Sequence, residues 1–394
     1  MNKFFLDLGK QPLANNYQNS FKKKQIRYKL KLFFNTKNKI VSISKRIPSE
    51  KMFTNNYPYR SSMSKTMRNS FLKLSSEIKK KFNPNKVLEI GSNDGALIKN
   101  FKKSKVIGVE PCKNLANITS KKGFLTYNYY WNLKLAKKLK KKHGKIDLIY
   151  SANTLTHISD LKHVFESILY LLQKNGVLII EDPSLLECIK KKSYDQFYNE
   201  HIYLFSAISV KNLLNKFNLE IFDIKNLPTH GGSLRYYIKR KKNKELKISN
   251  SVKKQINKEI NHGLHKFETY KKFSKDVQKS KNDLIKILVK LKKRNKKVVG
   301  YGATAKAVTI INYCNINKDL ILNFVDTTPE KINKFMPGKD IKILKYKKDI
   351  LGKYDFAFLG AWNFKKEIMN KEKKYLKKGL KFITHIPKPK ILDI

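Results

Sequence analysis

Cysteine is scarce in this sequence of 394 residues. It occurs only as Cys112, Cys188 and Cys314, and no two of these have the spacing of a metal-binding or redox-active pair. A disulfide-rich secreted scaffold is therefore excluded, and we expect buried, neutral thiols. Since disulfides are rare in the reducing cytoplasm, this usage predicts a cytoplasmic protein.

Long apolar runs are missing as well. No stretch approaches the roughly 18 consecutive apolar residues that a membrane-spanning helix needs. The apolar run at residues 4–6 ends at Asp7, which makes it too short for the core of a signal peptide. We therefore expect neither a membrane span nor a secretion signal.

Acidic residues and arginine are both few beside lysine. The chain has 86 basic and 30 acidic residues, a formal net charge of +56, yet only seven of the basic residues are arginine. Such a charge suggests nucleic-acid binding, because basic surfaces neutralise phosphates. Arginine is the residue favoured for bidentate contacts to phosphate and guanine, however, and the lysines are spread along the whole chain. We favour a compositional bias of the source genome and expect no specific nucleic-acid partner.

The periodicity of apolar residues divides the chain into four predicted segments. Residues 1–65 contain short alternating stretches, such as residues 28–32, and predict a small β-rich N-terminal lobe. Residues 66–239 alternate apolar strands with helices. Residues 240–290 are rich in lysine and glutamate and predict a helical connector, and residues 291–394 begin a second alternation of strands and helices.

Strands alternating with helices predict a parallel sheet. Strands are expected at residues 86–90, 106–109, 146–150, 177–180, 297–300, 322–325, 356–359 and 381–383. A helical stretch is expected at residues 97–101, and a longer helix from Ser159-Asp160 to Asn175-Gly176, since glycine commonly follows a helix end. The predicted fold class is α/β, with two tandem Rossmann-like doubly wound domains preceded by the N-terminal lobe.

A glycine-containing loop follows the first of these strands. It contains, in order, Glu89, Gly91, Ser92, Asn93, Asp94 and Gly95. Its glycines permit a tight turn and the close approach of a ligand to the backbone. Glu110 ends the next strand, where a carboxylate can accept hydrogen bonds from both hydroxyl groups of a ribose. The loop lacks the G-x-G-x-x-G spacing of a dinucleotide site.

The pattern E-x-G-x-x-x-G followed by an acidic strand end is that of S-adenosylmethionine-dependent methyltransferases. We therefore predict S-adenosylmethionine as the cofactor, bound by the loop residues, Glu110 and Asn153. The alternative is an ordinary strand-to-helix turn with a surface glutamate. We favour the cofactor because the loop, its spacing and the acidic residue agree.

Several further segments narrow the choice of enzyme. The pieces that match a known pattern are residues 6–15, 57–62, the loop at Gly91, 153–157, 198–201, 229–235 and 300–306. Together, and in this order, they resemble the three-domain sugar C-methyltransferases, which act on nucleotide-linked 4-keto-deoxysugars. The resemblance covers nearly the whole chain.

The chain departs from that family at its N-terminus. Family members usually carry a small zinc site there, built from paired C-x-x-C motifs, whereas no cysteine precedes Cys112 here. We therefore predict no zinc and an N-terminal lobe held by packing alone. Structural zinc contributes directly to folding in small modules, so we expect this lobe to be the least stable part.

The resemblance implies a carbon nucleophile formed beside a ketone. A base removes the proton α to the carbonyl, and the resulting enolate attacks the methyl group, whose positive sulfonium already activates it without a metal. His201 matches the family's catalytic histidine, and Glu200 would hold a sugar hydroxyl or orient its neighbours. Tyr198 and His157 would surround the carbonyl, and Tyr59 would reach in from the N-terminal lobe. The alternatives are a structural histidine at 201 and a helix cap at 157.

Substrate contacts are expected from two turns. The first contains His230, Gly231, Gly232, Ser233 and Arg235, either as an amide-lined turn near phosphate or sugar or simply as a tight turn between two strands. The second carries Tyr301 and Lys306 at a strand-to-helix junction, where a nucleotide diphosphate suits the helix N-terminus. Substrate would then lie between the two α/β domains.

These observations predict a methyltransferase of class EC 2.1.1. It would add a methyl group to carbon 3 of a nucleotide-diphospho-4-keto-6-deoxysugar, as a monomer or homodimer. An O- or N-methyltransferase on a related nucleotide sugar is the alternative among enzymes. A lysine-rich nucleic-acid-binding protein, an RNA methyltransferase and a scaffold with a decayed site are the alternatives from other classes.

Overall fold

The computed structural model describes residues 1–21, 25–44 and 46–392. Within these residues the strands form three sheets. The strands are β1 (Asn2–Pro12), β2 (Arg27–Asn35), β3 (Val41–Ile43), β4 (Val87–Ile90), β5 (Val106–Val109), β6 (Leu125–Tyr127), β7 (Ile146–Ala152), β8 (Leu172–Pro183), β9 (Tyr203–Leu204), β10 (Leu219–Leu227), β11 (Ser233–Arg240), β12 (Val298–Tyr301), β13 (Asn323–Asp326), β14 (Lys342–Lys345), β15 (Phe356–Leu359), β16 (Lys381–Thr384) and β17 (Lys390–Leu392).

The α-helices cover the sheets and connect them. They are α1 (Ser49–Met52), α2 (Lys65–Phe82), α3 (Lys113–Ser120), α4 (Leu133–His143), α5 (Leu161–Leu171), α6 (Leu185–Lys191), α7 (Ala207–Leu214), α8 (Asn250–Asn261), α9 (Phe267–Lys293), α10 (Ala305–Tyr313), α11 (Lys365–Lys371) and α12 (Lys373–Lys377). Among the described residues, no helix combines the length and the apolar character that crossing a membrane requires.

The N-terminal sheet has the order β1-β2-β3-β9, so its last strand comes from far along the chain. The expected strand at residues 28–32 lies within β2. The sheet packs on α9, where the rings of Phe34 and Tyr270 stack with centroids 4.4 Å apart. The hydroxyl group of Tyr17 donates to the carbonyl oxygen of Ala303 at 2.7 Å. Aromatic packing and hydrogen bonds to other parts of the chain thus hold this lobe in place.

The central sheet has the order β10-β11-β8-β7-β4-β5-β6. The strands from β8 to β6 are parallel, and β11 and β10 add an antiparallel edge. Every residue of β4 and β5 is buried, because helices cover both faces of the sheet. The carboxyl ends of these parallel strands meet at one edge, which is where open α/β sheets bind ligands. The α/β prediction with Rossmann-like sheets is confirmed.

Two details of the predicted helices are wrong. Helix α5 ends at Leu171, and β8 runs from Leu172 through Asn175-Gly176, because Leu172 pairs with Ile146 of β7. The stretch after the glycine loop is only a 3-10 turn, Ile98–Asn100. There the side-chain amide of Asn100 donates to two carbonyl oxygens that a longer helix would use.

The C-terminal sheet has the order β14-β13-β12-β15-β16-β17 and is parallel except at β17. All four strands expected in this part are present, whereas β14 and β17 were not predicted. The predicted connector is helical from α8 through α9. Helix α9 buries Phe273, Val277, Leu284 and Leu288 along one face, at the spacing of a helix that packs on a core.

Candidate active site

One cavity of about 630 Å³ joins the three parts of the chain. It lies at the carboxyl edges of both larger sheets, and its size falls within the roughly 300–1,000 Å³ of ligand pockets. The predicted site residues on its wall are Tyr59, Glu89, Gly91, Ser92, Asn93, Glu110, Asn153, His157, Tyr198, His201, His230, Tyr301 and Lys306. The remaining predicted residues, Asp94, Gly95, Glu200, Gly231, Gly232, Ser233 and Arg235, do not line it.

The glycine loop turns sharply beneath the cavity. Gly91 has φ +75°, and its N–H donates to the carbonyl oxygen of Val109 at 2.8 Å. A Cβ at this position would lie 2.2 Å from Oγ1 of Thr154. Both the backbone conformation and the space therefore require glycine.

Glu110 fastens the loop to the end of β5. Its carboxylate accepts hydrogen bonds from the backbone N–H groups of Asn93 and Cys112, each at 2.8 Å. Burial raises the pKa of Glu110, while these two hydrogen bonds act in the opposite direction. The carboxylate is thus held rigidly on the cavity wall at the strand end.

Among the buried polar atoms on the wall, two carboxyl or amide oxygens lack a hydrogen-bond donor within the described part of the chain. These are Oε2 of Glu89 and Oδ1 of Asn153. Asn153 has φ +50°, in the left-handed region that asparagine tolerates, and its N–H is held by the carbonyl oxygen of Glu181. Unsatisfied buried acceptors call for a donor. The ammonium group of S-adenosylmethionine supplies such donors, so these residues fit the cofactor.

Asp94 and Gly95 do not line the cavity. Asp94 accepts hydrogen bonds from the hydroxyl groups of Ser61 at 3.0 Å and Ser62 at 2.5 Å. Gly95 has φ +80°, and a Cβ there would lie 2.5 Å from the methyl group of Thr119. The structure therefore assigns Asp94 to anchoring the segment at residues 59–64, and this corrects its expected contact with the cofactor.

His201 is buried on the wall with both ring nitrogens engaged. Nδ1 lies 2.7 Å from the carbonyl oxygen of Gln196, and Nε2 lies 2.6 Å from the hydroxyl group of Tyr198. Because a carbonyl only accepts, Nδ1 carries the proton and Nε2 accepts from Tyr198. Burial, aided by the positive charge of Lys306, holds the pKa of His201 well below its usual range. The imidazole is therefore neutral and keeps its basic nitrogen toward Tyr198.

His157 and Tyr59 complete the surroundings of this ring. The His157 ring packs edge-on against His201, with centroids 5.1 Å apart, and at a tilt against Phe53, with centroids 5.2 Å apart. Burial lowers the pKa of His157 to about 4, and its Nδ1 has no hydrogen-bond partner in the described part of the chain. Tyr59 is 40% exposed, but its hydroxyl group is surrounded by other atoms of the chain, and this burial, with the nearby charge of Asp94, raises its pKa to about 12. Both side chains are thus neutral at neutral pH.

Glu200 lies behind the wall rather than on it. Its carboxylate accepts from the hydroxyl group of Tyr57 at 2.7 Å and from the side-chain amide of Asn15 at 2.8 Å. Tyr57 and Asn15 line the cavity in its place. Burial raises the pKa of Glu200 to about 7. Of the two roles expected for Glu200, the contacts fit the orientation of its neighbours.

The turn at residues 229–233 connects β10 to β11, as the simpler of its two interpretations predicts. Only His230 of this turn reaches the cavity. Its Nε2 is buried without a partner among the described residues, and burial lowers its pKa to about 3.

The expected substrate contact of Arg235 is corrected. Its guanidinium binds the carboxylate of Glu181 through Nε at 3.0 Å and Nη2 at 2.9 Å, and both residues are buried. The two residues are opposite each other in the β8–β11 pairing. Arg235 therefore forms a cross-strand ion pair inside the sheet.

The junction between β12 and α10 contributes the positively charged side chain of Lys306 to the cavity wall. Lys306 is the second residue of α10, whose N-cap is the side chain of Thr304. Among the described residues, no hydrogen bond or ion pair engages its ammonium group, and burial lowers its pKa. Asp326 accepts the N–H groups of Ala303 and Thr328 at 2.8 Å each, which repeats the arrangement of Glu110.

The sequence did not indicate every residue of the cavity wall. Phe53, Trp131, Lys331 and Lys371 line the cavity and were not singled out. The aromatic run at residues 129–131, directly after β6, was an available signal for Trp131. The two lysines carried no signal, because lysine is frequent throughout the chain.

The described part of the chain does not assemble a set of metal ligands around this cavity. Within residues 1–21, 25–44 and 46–392, no three His, Cys, Asp or Glu side chains lie close enough together to hold a metal ion. Cys112, Cys188 and Cys314 are free and buried, as predicted. Burial raises the pKa of all three thiols, for Cys314 to about 11.

Comparison with known proteins identifies the two larger parts. Residues 59–224 match the family model described as a methyltransferase domain, and residues 228–387 match the one described as the C-methyltransferase C-terminal domain. The chain is an S-adenosylmethionine-dependent methyltransferase. The methyltransferase is 28% identical to the C-methyltransferase NovU of Streptomyces niveus over 309 residues, which cover 78% of this chain and 73% of NovU. The predictions of an enzyme and of its cofactor are thereby confirmed.

Solved structures of other methyltransferases match the methyltransferase in part. A possible histamine N-methyltransferase of Thermotoga maritima is 20% identical, with a TM-score of 0.33, over 43% of this chain and 89% of that one. The magnesium protoporphyrin IX methyltransferase of Synechocystis PCC 6803 is 13% identical, with a TM-score of 0.32, over 44% of this chain and 79% of that one.

Proposed function

We propose that this methyltransferase adds a methyl group to carbon 3 of a nucleotide-diphospho-4-keto-6-deoxysugar. The observation that carries the proposal is the neutral His201 ring, whose Nε2 is connected to the cavity through Tyr198 at 2.6 Å. Methyl transfer to carbon requires a base that removes a proton, and this arrangement provides one. The C-terminal match and the relative named a C-methyltransferase support the same reading.

The first glycine loop holds the cofactor in this proposal. Glu110 receives the ribose hydroxyl groups, and Gly91 leaves the backbone open beside them. Glu89 and Asn153 offer their free acceptors to the cofactor's ammonium group. When bound, S-adenosylmethionine supplies an electrophilic methyl group on its sulfonium sulfur.

His201 acts as the base through Tyr198. The C–H bond at carbon 3 breaks, its proton goes to the oxygen of Tyr198, and the proton of Tyr198 passes to Nε2 of His201. The electron pair of that bond moves toward the ketone oxygen and gives an enolate. Its carbon 3 would take the methyl group as the bond from the methyl carbon to the sulfonium sulfur breaks and leaves its electron pair on sulfur. The hydrogen bond from Nδ1 to Gln196 holds the ring in the required tautomer. The anionic substrate raises the pKa of the imidazole in the complex, since a nearby negative charge favours the protonated form.

The C-terminal part holds the substrate. Lys306 lies at the start of α10, where a diphosphate gains both its ammonium charge and the free N–H groups of the helix. The ring of Tyr301 lines the same region, and its hydroxyl group is fixed by Glu372 at 2.7 Å. His157 and Tyr59 surround the carbonyl, and Glu200 keeps Tyr57 and Asn15 in place.

Product analysis tests the proposal. The protein is incubated with S-adenosylmethionine and a panel of nucleotide-diphospho-4-keto-6-deoxysugars, and the product is examined by mass spectrometry and NMR. We expect a new methyl group bound to carbon 3. We also expect His201→Gln to lose ~10²–10⁴ of the rate, the usual contribution of a general base. The matched control is His163→Gln, because His163 is exposed and remote from the cavity wall.

Other results would identify the alternative functions. A methyl group on oxygen or nitrogen, or a near-normal rate in His201→Gln, indicates an O- or N-methyltransferase. Failure to bind S-adenosylmethionine or S-adenosylhomocysteine in calorimetry indicates a decayed scaffold. Sequence-selective RNA binding with a steep salt dependence indicates the nucleic-acid alternative.

A further inference from the structure

A tryptophan of the C-terminal part holds a buried carboxylate of the methyltransferase part. Trp362 precedes α11, and its indole N–H donates to Oδ2 of Asp195 at 2.5 Å. Asp195 is fully buried in the 3-10 turn Tyr194–Gln196, and its Oδ1 has no hydrogen-bond partner among the described residues. Nε2 of His385, also fully buried, lies 3.5 Å from Oδ2.

The next residue, Gln196, forms hydrogen bonds with two histidines of the cavity wall, His201 and His230. Its carbonyl oxygen accepts from Nδ1 of His201 at 2.7 Å. Its side-chain amide donates to the carbonyl oxygen of His230 at 2.6 Å. The orientation of the His201 ring and the position of the His230 backbone therefore depend on where the turn at residues 194–196 lies.

Trp362 also packs against the turn that carries His230. A Cβ on Gly231 would lie 2.2 Å from Cη2 of the Trp362 ring, so the indole lies directly on this glycine. Ala361, Asn363 and Phe364, on either side of Trp362 in sequence, line the cavity. One indole ring thus connects the wall of the C-terminal part with both histidine-bearing segments.

We infer that Trp362 is a positioning residue for proton abstraction: through Asp195 and Gly231, it fixes the segments that orient His201 and His230. The inference rests on the proposed function, because it concerns the base of that reaction. The orientation of the base then depends on the C-terminal part, although the base lies within the residues that match the methyltransferase domain. A buried carboxylate needs its hydrogen bonds, so losing the indole N–H lets Asp195 and the adjoining Gln196 shift.

The test compares variants that keep or remove this hydrogen bond. Trp362→Phe keeps a ring but loses the N–H, and Asp195→Ala loses the acceptor. Asp195→Asn keeps an acceptor oxygen for the indole. The control Tyr270→Phe also removes a buried hydrogen bond, to Leu264 at 2.7 Å, but Tyr270 does not line the cavity.

Three readouts separate positioning from folding. They are kcat and KM for methyl transfer, deuterium incorporation at carbon 3 without S-adenosylmethionine, and calorimetric binding of S-adenosylhomocysteine. We expect Trp362→Phe and Asp195→Ala to lower kcat and deuterium incorporation at least ~10-fold, with KM and cofactor binding within ~3-fold of wild type, as for a misplaced catalytic group. Asp195→Asn and Tyr270→Phe should stay within ~3-fold of wild type in all three.

Failure of the proposed function and failure of the positioning role give different results. If the wild type shows neither deuterium incorporation nor a carbon-bound methyl group, the proposed function is wrong. If the wild type shows both and Trp362→Phe matches it, the positioning role is wrong. Equal losses in Asp195→Asn and Asp195→Ala also overturn it, because charge rather than the hydrogen bond would then matter. If Trp362→Phe fails to fold, the contrast between the two Asp195 variants decides.

Discussion

The hydroxyl group of Tyr198 lies 2.6 Å from Nε2 of His201 and donates its proton to that nitrogen. The two rings are also in contact, with centroids 3.9 Å apart. Since Nδ1 is already protonated toward Gln196, the basic nitrogen Nε2 is the one that faces the tyrosine oxygen. The pair is arranged to pass one proton inward from the cavity to the ring.

Removing this hydroxyl group tests the relay. Tyr198→Phe should lower kcat by ~10²-fold, because the proton loses its path while the base stays in place. Tyr203→Phe is the control, since its hydroxyl group binds Ser159 at 2.8 Å away from the cavity wall. Steady-state kinetics measure both. A Tyr198→Phe enzyme at the wild-type rate would show that His201 acts without the tyrosine.

Gly91 in the cofactor loop and Gly9 in β1 form a matched pair for a test of the loop. Gly91 and Gly9 have φ of +75° and +74°, so alanine strains the backbone by about 1 kcal/mol at either position. Only at Gly91 does the new Cβ collide with a neighbour, whereas nothing lies within 4 Å at Gly9. We expect Gly91→Ala to weaken S-adenosylhomocysteine binding at least ~10-fold in calorimetry and Gly9→Ala to leave it unchanged. Equal affinities in the two variants would remove the loop from the cofactor site.

Lys306 is expected to bind the diphosphate. Lys306→Met should raise KM for the nucleotide sugar at least ~10-fold, because a hydrogen bond to a charged group contributes about 1.5–3 kcal/mol, while kcat changes less. Lys141→Met, on the exposed face of α4, serves as the control. The KM–kcat split is measured by initial rates. A loss confined to kcat would instead place Lys306 at the enolate oxygen.

Glu200 should make stability depend on pH. Its pKa of about 7 lies above the ordinary value of 4.5, so between these values the folded chain keeps a proton that the unfolded chain has released. The free energy of unfolding therefore falls as pH rises through this window, by roughly 3 kcal/mol for such a shift.

Glu200→Gln removes that titration. Thermal and denaturant unfolding should show the stability of the variant, relative to wild type, rising between pH 4.5 and 7.5. Glu166→Gln, at a half-exposed position on α5, should show no such trend. A constant difference between Glu200→Gln and wild type across this range would mean that the carboxyl group titrates normally.

The spacing of apolar residues and glycines along the sequence was enough to predict much of the fold and part of the site. Buried parallel strands such as β4 and β12 appear in the sequence as short apolar runs followed by glycine, and the carboxyl ends of such strands gather at one edge. That rule alone places Gly91, Glu110 and Lys306 around one cavity. The expectations of no zinc and of a weakly stable N-terminal lobe stay predictions.

Side-chain direction was not predictable in the same way. Arg235 follows a turn that does reach the cavity, yet the strand pairing of β8 with β11 sets it opposite Glu181. Asp94 belongs to the cofactor loop, but two serine side chains from residues 61–62 capture its carboxylate. Trp362 carries no motif at all. These partners come from distant parts of the chain, which spacing along the sequence does not encode.

Deuterium incorporation at carbon 3 shows whether the enzyme removes that proton through His201. The wild-type enzyme is placed in D₂O with a nucleotide-diphospho-4-keto-6-deoxysugar and S-adenosylhomocysteine, and carbon 3 is followed by NMR against an enzyme-free sample. We expect enzyme-dependent exchange of that proton, and its loss in His201→Gln. Methyl transfer to the sugar with no exchange in the wild type, or with equal exchange in His201→Gln, would contradict this expectation.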